Sequence, residues 1–211
     1  MTDRQRVIER LLAAHETWFD VERNHGFAGR TFPGYAEFHS TASRYVLVKR
    51  AKLWEASAHE YLFFCETPHL AVDELQSLVA FMTSDGLAKV QLAPDHMSSY
   101  ISLVVVTDAA DEEALRLVKH TRFRKNFAFG LKGWADLRLA VVDLGLGQVI
   151  TNSQGKALRE TLAANAFACD EPASLAPLAA APADGPSQAE ALAASASLKD
   201  SNAILEEGRN L

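Results

Sequence analysis

The spacing of apolar residues predicts a helix at the start of the chain and a loop after it. Over residues 3–23, apolar side chains such as Leu11 and Trp18 recur at steps of three and four, which places them on one face of a helix. Residues 24–35 contain three glycines and one proline, a composition typical of a loop. A loop of this length is a common place for a binding surface.

Two strands are predicted next, and the first of them is strongly cationic. Residues 44–55 and 60–66 are rich in residues that favour strands, and the segment 55–59 between them indicates the turn of an antiparallel pair. The first strand carries four cations, which interrupt both of its faces: Arg44, Lys49, Arg50 and Lys52. Lysines are typical of edge strands, where they discourage pairing with other chains.

The same patterns predict three more helices and the remaining strands beyond residue 70. Residues 100–107 are almost continuously apolar, which indicates a central strand covered on both faces. Residues 109–122 begin with acids and end with bases, the charge order that a helix dipole favours. The other predicted helices are 71–88 and 153–165, and the other predicted strands are 127–134, 136–144 and 148–152. We therefore predict an α+β fold in which helices cover a single mixed or mostly antiparallel sheet.

The composition of the chain changes at residue 168. From there it is rich in Ala, Pro and Ser and has few large apolar side chains, so it cannot bury enough surface to offset the entropy of ordering. This segment holds seven of the 27 acids and two of the 21 bases, which leaves the rest of the chain almost neutral. We predict one globular domain over residues 1–167 and a flexible acidic tail over residues 168–211.

Cysteine usage and hydropathy bear on the cellular location. The chain has two cysteines, Cys65 and Cys169, which form neither a disulfide framework nor a Cys-rich zinc site. Its amino terminus lacks the uninterrupted apolar core of a signal peptide, and no run approaches the ~18 apolar residues of a membrane span. A cytoplasmic protein without a membrane partner is therefore expected.

Four short motifs together resemble a known kind of protein family. They are AEFHS at 36–40, YVLVKRAKLW at 45–54, GW at 133–134 and TNSQGK at 151–156. The combination is similar to a family of uncharacterised bacterial cytoplasmic proteins, of the domain-of-unknown-function kind, over roughly residues 15–164. The resemblance implies a single domain and brings no activity or site residue with it.

The motif at 36–40 contains the best candidates for catalysis. If this motif is extended, Glu37 and His39 point to the same side, where they could act as an acid–base pair or share a metal. Other candidate ligands exist, but their spacing matches no known metal pattern, so no metal site is predicted: His59, Glu60, Asp95 and His96. The alternative is structural, with Glu37 and His39 bonded to the neighbouring loop.

Two further chemistries find weak support. A metal-dependent nuclease would use Asp108 with the acid–x–base pair of Asp136 and Arg138, but a predicted helix separates these residues, and such acids usually lie on neighbouring strands. A phosphate-binding loop ending in Lys156 is excluded because Ile150 stands where its first glycine would be. The amides before Lys156 could still hold an anion at a helix start, but the sequence favours an ordinary capped helix there.

The densest positive segment is residues 119–127. Arg122, Arg124 and Lys125 alternate there with aromatic residues, and together with Lys49 and Lys52 they could bind nucleic acid or another polyanion. The structural alternative treats them as cations at a helix end and places Phe123 in the core. Because the domain is nearly neutral, the charge argues for this alternative.

Two classes of function remain open at this point. The first is a non-enzymatic binding or regulatory domain that recognises an anionic ligand, a nucleic acid or a protein partner. Such a domain could be a homodimer. The second is a small hydrolase- or nuclease-like enzyme with a metal-assisted or acid–base site at Glu37 and His39. No cofactor is indicated. The sequence favours the binding domain, because no complete catalytic constellation can be assembled from spacing alone.

Overall fold

The structure, a computed structural model, describes residues 1–45, 52–92 and 96–168, with the backbone alone for 40–45 and 52–58. Within these ranges four helices and seven strands form. The helices are α1 (Asp3–His15), α2 (Val72–Ser84), α3 (Glu112–His120) and α4 (Arg159–Ala166). The strands are β1 (Asp20–Phe27), β2 (Arg30–Tyr45), β3 (Lys52–Leu70), β4 (His96–Ala110), β5 (Arg124–Asn126), β6 (Trp134–Asp143) and β7 (Gln148–Thr151). Short 3-10 turns cover Asp85–Lys89, Ala128–Gly130 and Gln154–Leu158.

The strands form one mixed sheet, as the sequence predicts. Their order is β1-β2-β3-β4-β6-β5, and β7 also pairs with β6. The pairs β3–β4 and β4–β6 are parallel, and the other pairs are antiparallel. The predicted α+β fold is therefore confirmed, with β3 as the strand where antiparallel pairing changes to parallel pairing.

Each face of the sheet has its own apolar core. Helices α2 and α3 cover one face through residues such as Leu75 and Val118. Helices α1 and α4 cover the other face through residues such as Leu11 and Leu162. The apolar run of β4 lies between these layers, and its residues 101–107 are buried, which confirms the prediction of a central strand.

The first predicted helix is too long, and the first predicted loop is wrong. Helix α1 ends at His15, and residues 20–27 form β1, the edge strand beside β2. The segment predicted as a loop is a β-hairpin, in which Ala28 (φ +47°) and Gly29 (φ +78°) make a two-residue turn with left-handed backbone. The glycines therefore mark a hairpin turn, and pairing with β2 overrides the helical spacing of residues 18–22.

The predicted turn at residues 55–59 is also wrong, because β3 runs through it. Its small residues lie opposite β2 on one side, with Ala58 opposite Ser40 and Ala56 opposite Ala42. From Ser57 onward β3 also pairs with β4 on its other side. Pairing on both edges holds this segment extended although its composition resembles a turn. The connection between β2 and β3 lies outside the described residues, as do Lys49 and Arg50.

Two later predictions have different outcomes. Of the predicted strand 127–134, only Trp134 is extended, as the first residue of β6. Residues 127–133 form a 3-10 turn and a tight loop, in which Ala128 and Phe129 adopt left-handed backbone. The closing helix is confirmed, as a 3-10 turn that leads into α4. Its start is capped by buried Asn152, whose Oδ1 accepts a hydrogen bond from the Gly155 amide at 2.7 Å.

The predicted acidic tail lies outside the described residues from position 169 onward, so the division into domain and tail stays a prediction. In the part of the chain that the structure covers, no helix is both long enough and apolar enough to cross a membrane.

Candidate functional site

Ionisable side chains from three neighbouring strands converge on the α2/α3 face of the sheet, near the amino-terminal end of β4. In the register of β2 and β3, Glu37 lies opposite Tyr61, and His39 lies opposite His59. Because alternate residues of a strand share a face, all four side chains point to the same side. His96, at the start of β4, completes what we call the histidine cluster: His39, His59 and His96.

The closest contact in the cluster joins two imidazoles. Nδ1 of His39 and Nδ1 of His59 lie 2.7 Å apart. A hydrogen bond at this distance requires that one nitrogen carries a proton and the other accepts it. Both rings also contact Tyr61, with centroid distances of 5.8 Å from His39 and 6.5 Å from His59. The pair can therefore hold one proton between two bases.

Glu37 lies beside the outer imidazole. One carboxylate oxygen of Glu37 lies 3.7 Å from Nε2 of His39, and the other accepts a hydrogen bond from the Tyr35 hydroxyl at 2.6 Å. Burial, together with this bond to Glu37, raises the pKa of Tyr35, so its hydroxyl stays a donor. The Tyr35 ring is itself held by a stacked His25 ring at 4.1 Å and by the Lys89 ammonium at 4.3 Å. The carboxylate is thus fixed by a rigid, buried phenol.

Tyr61 presents a second phenol to the cluster. Its hydroxyl is buried and meets no partner of hydrogen-bonding geometry among the described residues, although the Gln91 amide is close enough to favour the phenolate. Burial, and then the charge of Glu37, raise the pKa of Tyr61 to about 12. The phenol therefore keeps its proton at neutral pH and is available to donate to a ligand.

His96 has a fixed protonation pattern. One ring nitrogen, Nδ1, lies 2.7 Å from the carbonyl oxygen of Lys132, which can only accept, so Nδ1 carries a proton. The other nitrogen lies 3.0 Å from the hydroxyl of Ser99, which can donate to it. The His96 ring stacks on His59 with parallel planes and 5.9 Å between centroids. His96 therefore supports His59 from the side of β4.

The members of the site differ in their exposure to solvent. The side chains of His39 and Glu37 are 40% and 31% exposed, whereas Tyr61 and His96 are buried. A ligand would therefore reach His39 first and find Tyr61 behind it. Among the described residues, no group of three or more His, Cys, Asp or Glu side chains has the arrangement of a metal site.

A second polar network lies directly behind this site, on the α1/α4 face. Glu60 follows His59 in β3 and points to the opposite side of the sheet. It accepts hydrogen bonds from Arg138 at 2.7 Å and from Ser102 at 2.9 Å, and the Arg138 guanidinium lies 3.6 Å from the centre of the Tyr100 ring. Since Glu60 is fully engaged there, it belongs to a structural network on the other face.

Residues 3–164 match the protein family described as a domain of unknown function, DUF8052. The chain belongs to this family. No curated protein and no solved structure matches it. The match confirms the resemblance to an uncharacterised family and extends it through α1. The DUF8052 segment contains all seven described strands and the whole histidine cluster.

Most of the predicted cations lie apart from this site. In the DUF8052 domain Arg124 makes a two-pronged ion pair with buried Asp136, at 2.7 and 2.6 Å, so its charge is neutralised. Arg122 and Lys125 flank it at the edge of the sheet, and Lys156 is exposed in the last 3-10 turn. Of Lys52 only the backbone is described. Phe123 packs against the core of the α2/α3 face, as the structural alternative expects.

The acids considered for a nuclease do not converge. Asp136 lies beside Tyr100 in the parallel pair β4–β6, whereas Asp108 lies eight residues further along β4, a separation of about 26 Å in an extended strand. Asp108 is paired there with Arg4. The Gly155 amide, considered for anion binding with Lys156, is already occupied by Asn152.

Sequence reasoning brought together Glu37 and His39 and missed their partners. His59 is placed by the sequence in a turn, whereas it lies within β3 and faces His39. Tyr35 and Tyr61 look like ordinary core aromatics in the sequence. The only available signal was alternation, because His59 and Tyr61 are two residues apart, as Glu37 and His39 are.

Proposed function

We propose that this domain is a small-molecule enzyme that works by general acid–base catalysis, with His39 as the group that takes up and returns a proton. The 2.7 Å contact between the Nδ1 atoms of His39 and His59 carries this proposal. Once His39 is protonated, it can pass a proton to the neutral ring of His59, and this transfer does not separate charge. An imidazole is also the side chain best suited to proton transfer near neutral pH.

The neighbouring groups have complementary roles in this proposal. Glu37 holds the His39 ring in orientation and stabilises it when it is protonated, as a carboxylate does for a catalytic histidine. Tyr61 donates its hydroxyl hydrogen to a substrate oxygen on which negative charge develops. The substrate is therefore a small polar molecule with a carbonyl or phosphoryl oxygen beside the group that exchanges a proton.

Among the side chains that the structure describes at this site, none is an activated nucleophile. Burial raises the pKa of the Cys65 thiol to about 12, which leaves it protonated and unreactive. Ser99 is fully buried and bonded to His96. Water activated by His39, or the substrate itself, would therefore attack. This favours hydrolysis or isomerisation over covalent catalysis.

The convergence of Glu37, His39, His59 and Tyr61 supports this enzyme over the binding domain that the charge pattern favours. A polyanion that bound at this site would need free cations here, but the predicted cations that the structure describes lie apart from it, and Arg124 is already paired with Asp136. Binding of an anionic ligand, a nucleic acid or a protein partner stays a prediction without a supporting contact at this site.

One test needs no substrate. Long-range proton–nitrogen NMR spectra of the histidine rings report which nitrogen of each ring carries the proton. We expect the His39 pattern to change in His59→Ala, because the shared proton loses its second base. His69→Ala is the matched control, since His69 forms an exposed pair with Asp111 at 2.8 Å. A His39 ring with the same protonation pattern in wild type and His59→Ala would refute the proposal.

A second test measures activity on a panel of chromogenic esters, phosphate esters and enolisable carbonyl compounds. For any compound that is turned over, we expect His39→Asn to lower kcat/KM by roughly 100-fold or more, the usual contribution of a positioned acid or base. His69→Asn should leave kcat/KM unchanged. Equal activity of the two variants would contradict the role of His39.

A further inference from the structure

The loop between β5 and β6 presents large apolar side chains to solvent. We call residues 127–133 the apolar tip. Phe129 is 104% exposed and Leu131 is 89% exposed, the two highest values among the large hydrophobic residues of the described part. Single exposed apolar residues are ordinary, but two at the end of one loop form a local apolar surface that needs an explanation.

Hydrogen bonds hold the apolar tip in one defined conformation. The carbonyl of Phe127 accepts hydrogen bonds from the amides of Gly130 at 2.9 Å and Lys132 at 3.2 Å, and the Phe127 amide donates to Gly133 at 3.0 Å. Only glycine fits at position 133, because its φ is +77° and a Cβ atom would lie 2.2 Å from the Met97 carbonyl oxygen. The base of the tip is therefore fixed to β4.

The backbone at the tip is strained in a way that exposes Phe129. Ala128 has φ +47° and Phe129 has φ +57°, the left-handed region that bulky side chains rarely adopt. Such strain costs of the order of 1–3 kcal/mol and is found mostly at functional positions. A fully exposed phenylalanine gains nothing from burial in the free domain, so the strain indicates a role in contact with another surface.

The tip lies in a segment of uniform charge. Residues 114–135 contain six lysines and arginines and no aspartate or glutamate. Arg124 and Arg116 are paired with acids outside the segment. Lys125 and Lys132, on either side of Phe129 and Leu131, are exposed and form no ion pair with any carboxylate in the described part of the chain. Two free cations thus flank two exposed apolar side chains.

We propose that the apolar tip docks onto the surface of an anionic phospholipid bilayer. Phe129 and Leu131 enter the boundary between headgroups and acyl chains, while Lys125 and Lys132 contact the anionic headgroups. This arrangement revises the expectation of no membrane partner, which rests on the lack of a spanning segment. Docking at the surface needs no such segment.

Two other surfaces fit the tip less well. Single-stranded nucleic acid would stack its bases on aromatic rings, and Leu131 offers no ring. A second copy of the chain would need roughly 1,000 Å² of buried surface for a stable interface, more than two protruding side chains supply. Of these three surfaces, the lipid surface is the one that uses both apolar residues and both cations.

The tip is connected to the histidine cluster. The Lys132 carbonyl accepts the hydrogen bond from His96, and the rings of His96 and Phe127 lie 6.0 Å apart. Docking would therefore take place beside the candidate acid–base site. The docking itself does not depend on any activity of that site.

The experiment is co-sedimentation of the full chain with vesicles. We expect binding to vesicles made of equal parts phosphatidylglycerol and phosphatidylcholine, weaker binding as salt is raised, and none to pure phosphatidylcholine. The double variant Phe129→Asn with Leu131→Ser should lower the partition coefficient roughly 10- to 100-fold. Asparagine is chosen because it tolerates left-handed backbone. Lys125→Gln with Lys132→Gln should lower it roughly tenfold.

The matched control is Leu146→Ser, which removes a 60% exposed leucine from the β6–β7 turn and should leave vesicle binding unchanged. Equal urea midpoints for all variants establish that the fold is intact. The proposal is overturned if the chain does not sediment with the anionic vesicles, or if the Phe129/Leu131 variant binds them as the wild type does. Phe129-dependent retention on single-stranded DNA, or Phe129-dependent dimerisation in analytical ultracentrifugation, without vesicle binding would likewise overturn it, in favour of nucleic acid or of a second copy.

Discussion

Two buried tyrosines beside the candidate site should respond in opposite ways to the loss of their hydroxyl groups. Tyr35 and Tyr61 are each 1% exposed and lie on the same face of neighbouring strands. The Tyr35 hydroxyl donates to Glu37 at 2.6 Å, whereas the Tyr61 hydroxyl meets no partner of hydrogen-bonding geometry among the described residues. Tyr35→Phe and Tyr61→Phe are therefore a matched pair that differs only in the bond lost.

The magnitudes follow from these contacts. A hydrogen bond to a charged group contributes about 1.5–3 kcal/mol, but Glu37 is partly exposed, so water replaces some of the loss. We expect Tyr35→Phe to lower the free energy of unfolding by about 1 kcal/mol. Tyr61→Phe removes a buried hydroxyl that makes no hydrogen bond of normal geometry with the described residues, although the Gln91 amide lies nearby. The change should therefore leave that free energy unchanged or raise it by up to about 1 kcal/mol.

Urea unfolding followed by tryptophan fluorescence measures both effects. For a slope of about 2 kcal/mol per M, Tyr35→Phe should lower the midpoint by roughly 0.5 M, and Tyr61→Phe should not lower it. A Tyr61→Phe protein that is less stable than Tyr35→Phe would show that this account of the two hydroxyls is wrong. If a substrate is found, Tyr61→Phe should lose activity while its fold remains intact.

Three further predictions concern buried polar groups. Asn152→Ala should lower the free energy of unfolding by about 3–5 kcal/mol, because it leaves the amides of Leu139 and Gly155 and the carbonyl of Leu137 without partners. The control in the same urea assay is Asn165→Ala, since Asn165 is partly exposed and, among the described residues, its side chain bonds only to the Thr161 carbonyl. Burial lowers the pKa of His15 from 6.5, so the unfolded chain binds a proton more readily than the folded one. The melting temperature should therefore fall as the pH drops below about 6.5. In His15→Gln this fall should be smaller. Part of the Cys65 side chain still contacts solvent, but burial raises the pKa of its thiol to about 12. In a Cys169→Ser protein, a thiol reagent should therefore modify Cys65 only after urea unfolding.

The elements that the sequence predicts correctly are those whose pattern has one physical explanation. The apolar run at 100–107 can be satisfied only between two apolar layers, and it forms the centre of the sheet. Acids precede residue 115 and bases follow it, which is the order that the dipole of a helix favours, and α3 forms there. Local chemistry determines these elements, so no knowledge of their neighbours is needed.

The elements that it misses depend on pairing over long distances. Residues 55–59 have the composition of a turn, but hydrogen bonds to β2 and β4 keep them extended. The contact between His39 and His59 depends on the register of that pair, which no local pattern encodes. The apolar residues at 127–134 suit a strand by propensity, yet left-handed backbone at Phe129 turns them outward. Convergence of the site could not be predicted before the register was known.

Successive side chains of β3 point to opposite faces of the sheet, so this one strand contributes to both polar networks. His59 belongs to the candidate acid–base site and Glu60 belongs to the Arg138 network, and a single peptide bond separates them. A slip of β3 by one residue against β2 would place Glu60 opposite His39, so the imidazole pair would become an imidazole–carboxylate pair. The same slip would move Phe63 and Phe64 to the opposite faces of the sheet, each away from the core in which it packs. The aromatic packing of β3 therefore acts as the alignment device of the candidate site, so core substitutions far from His39 can change its chemistry.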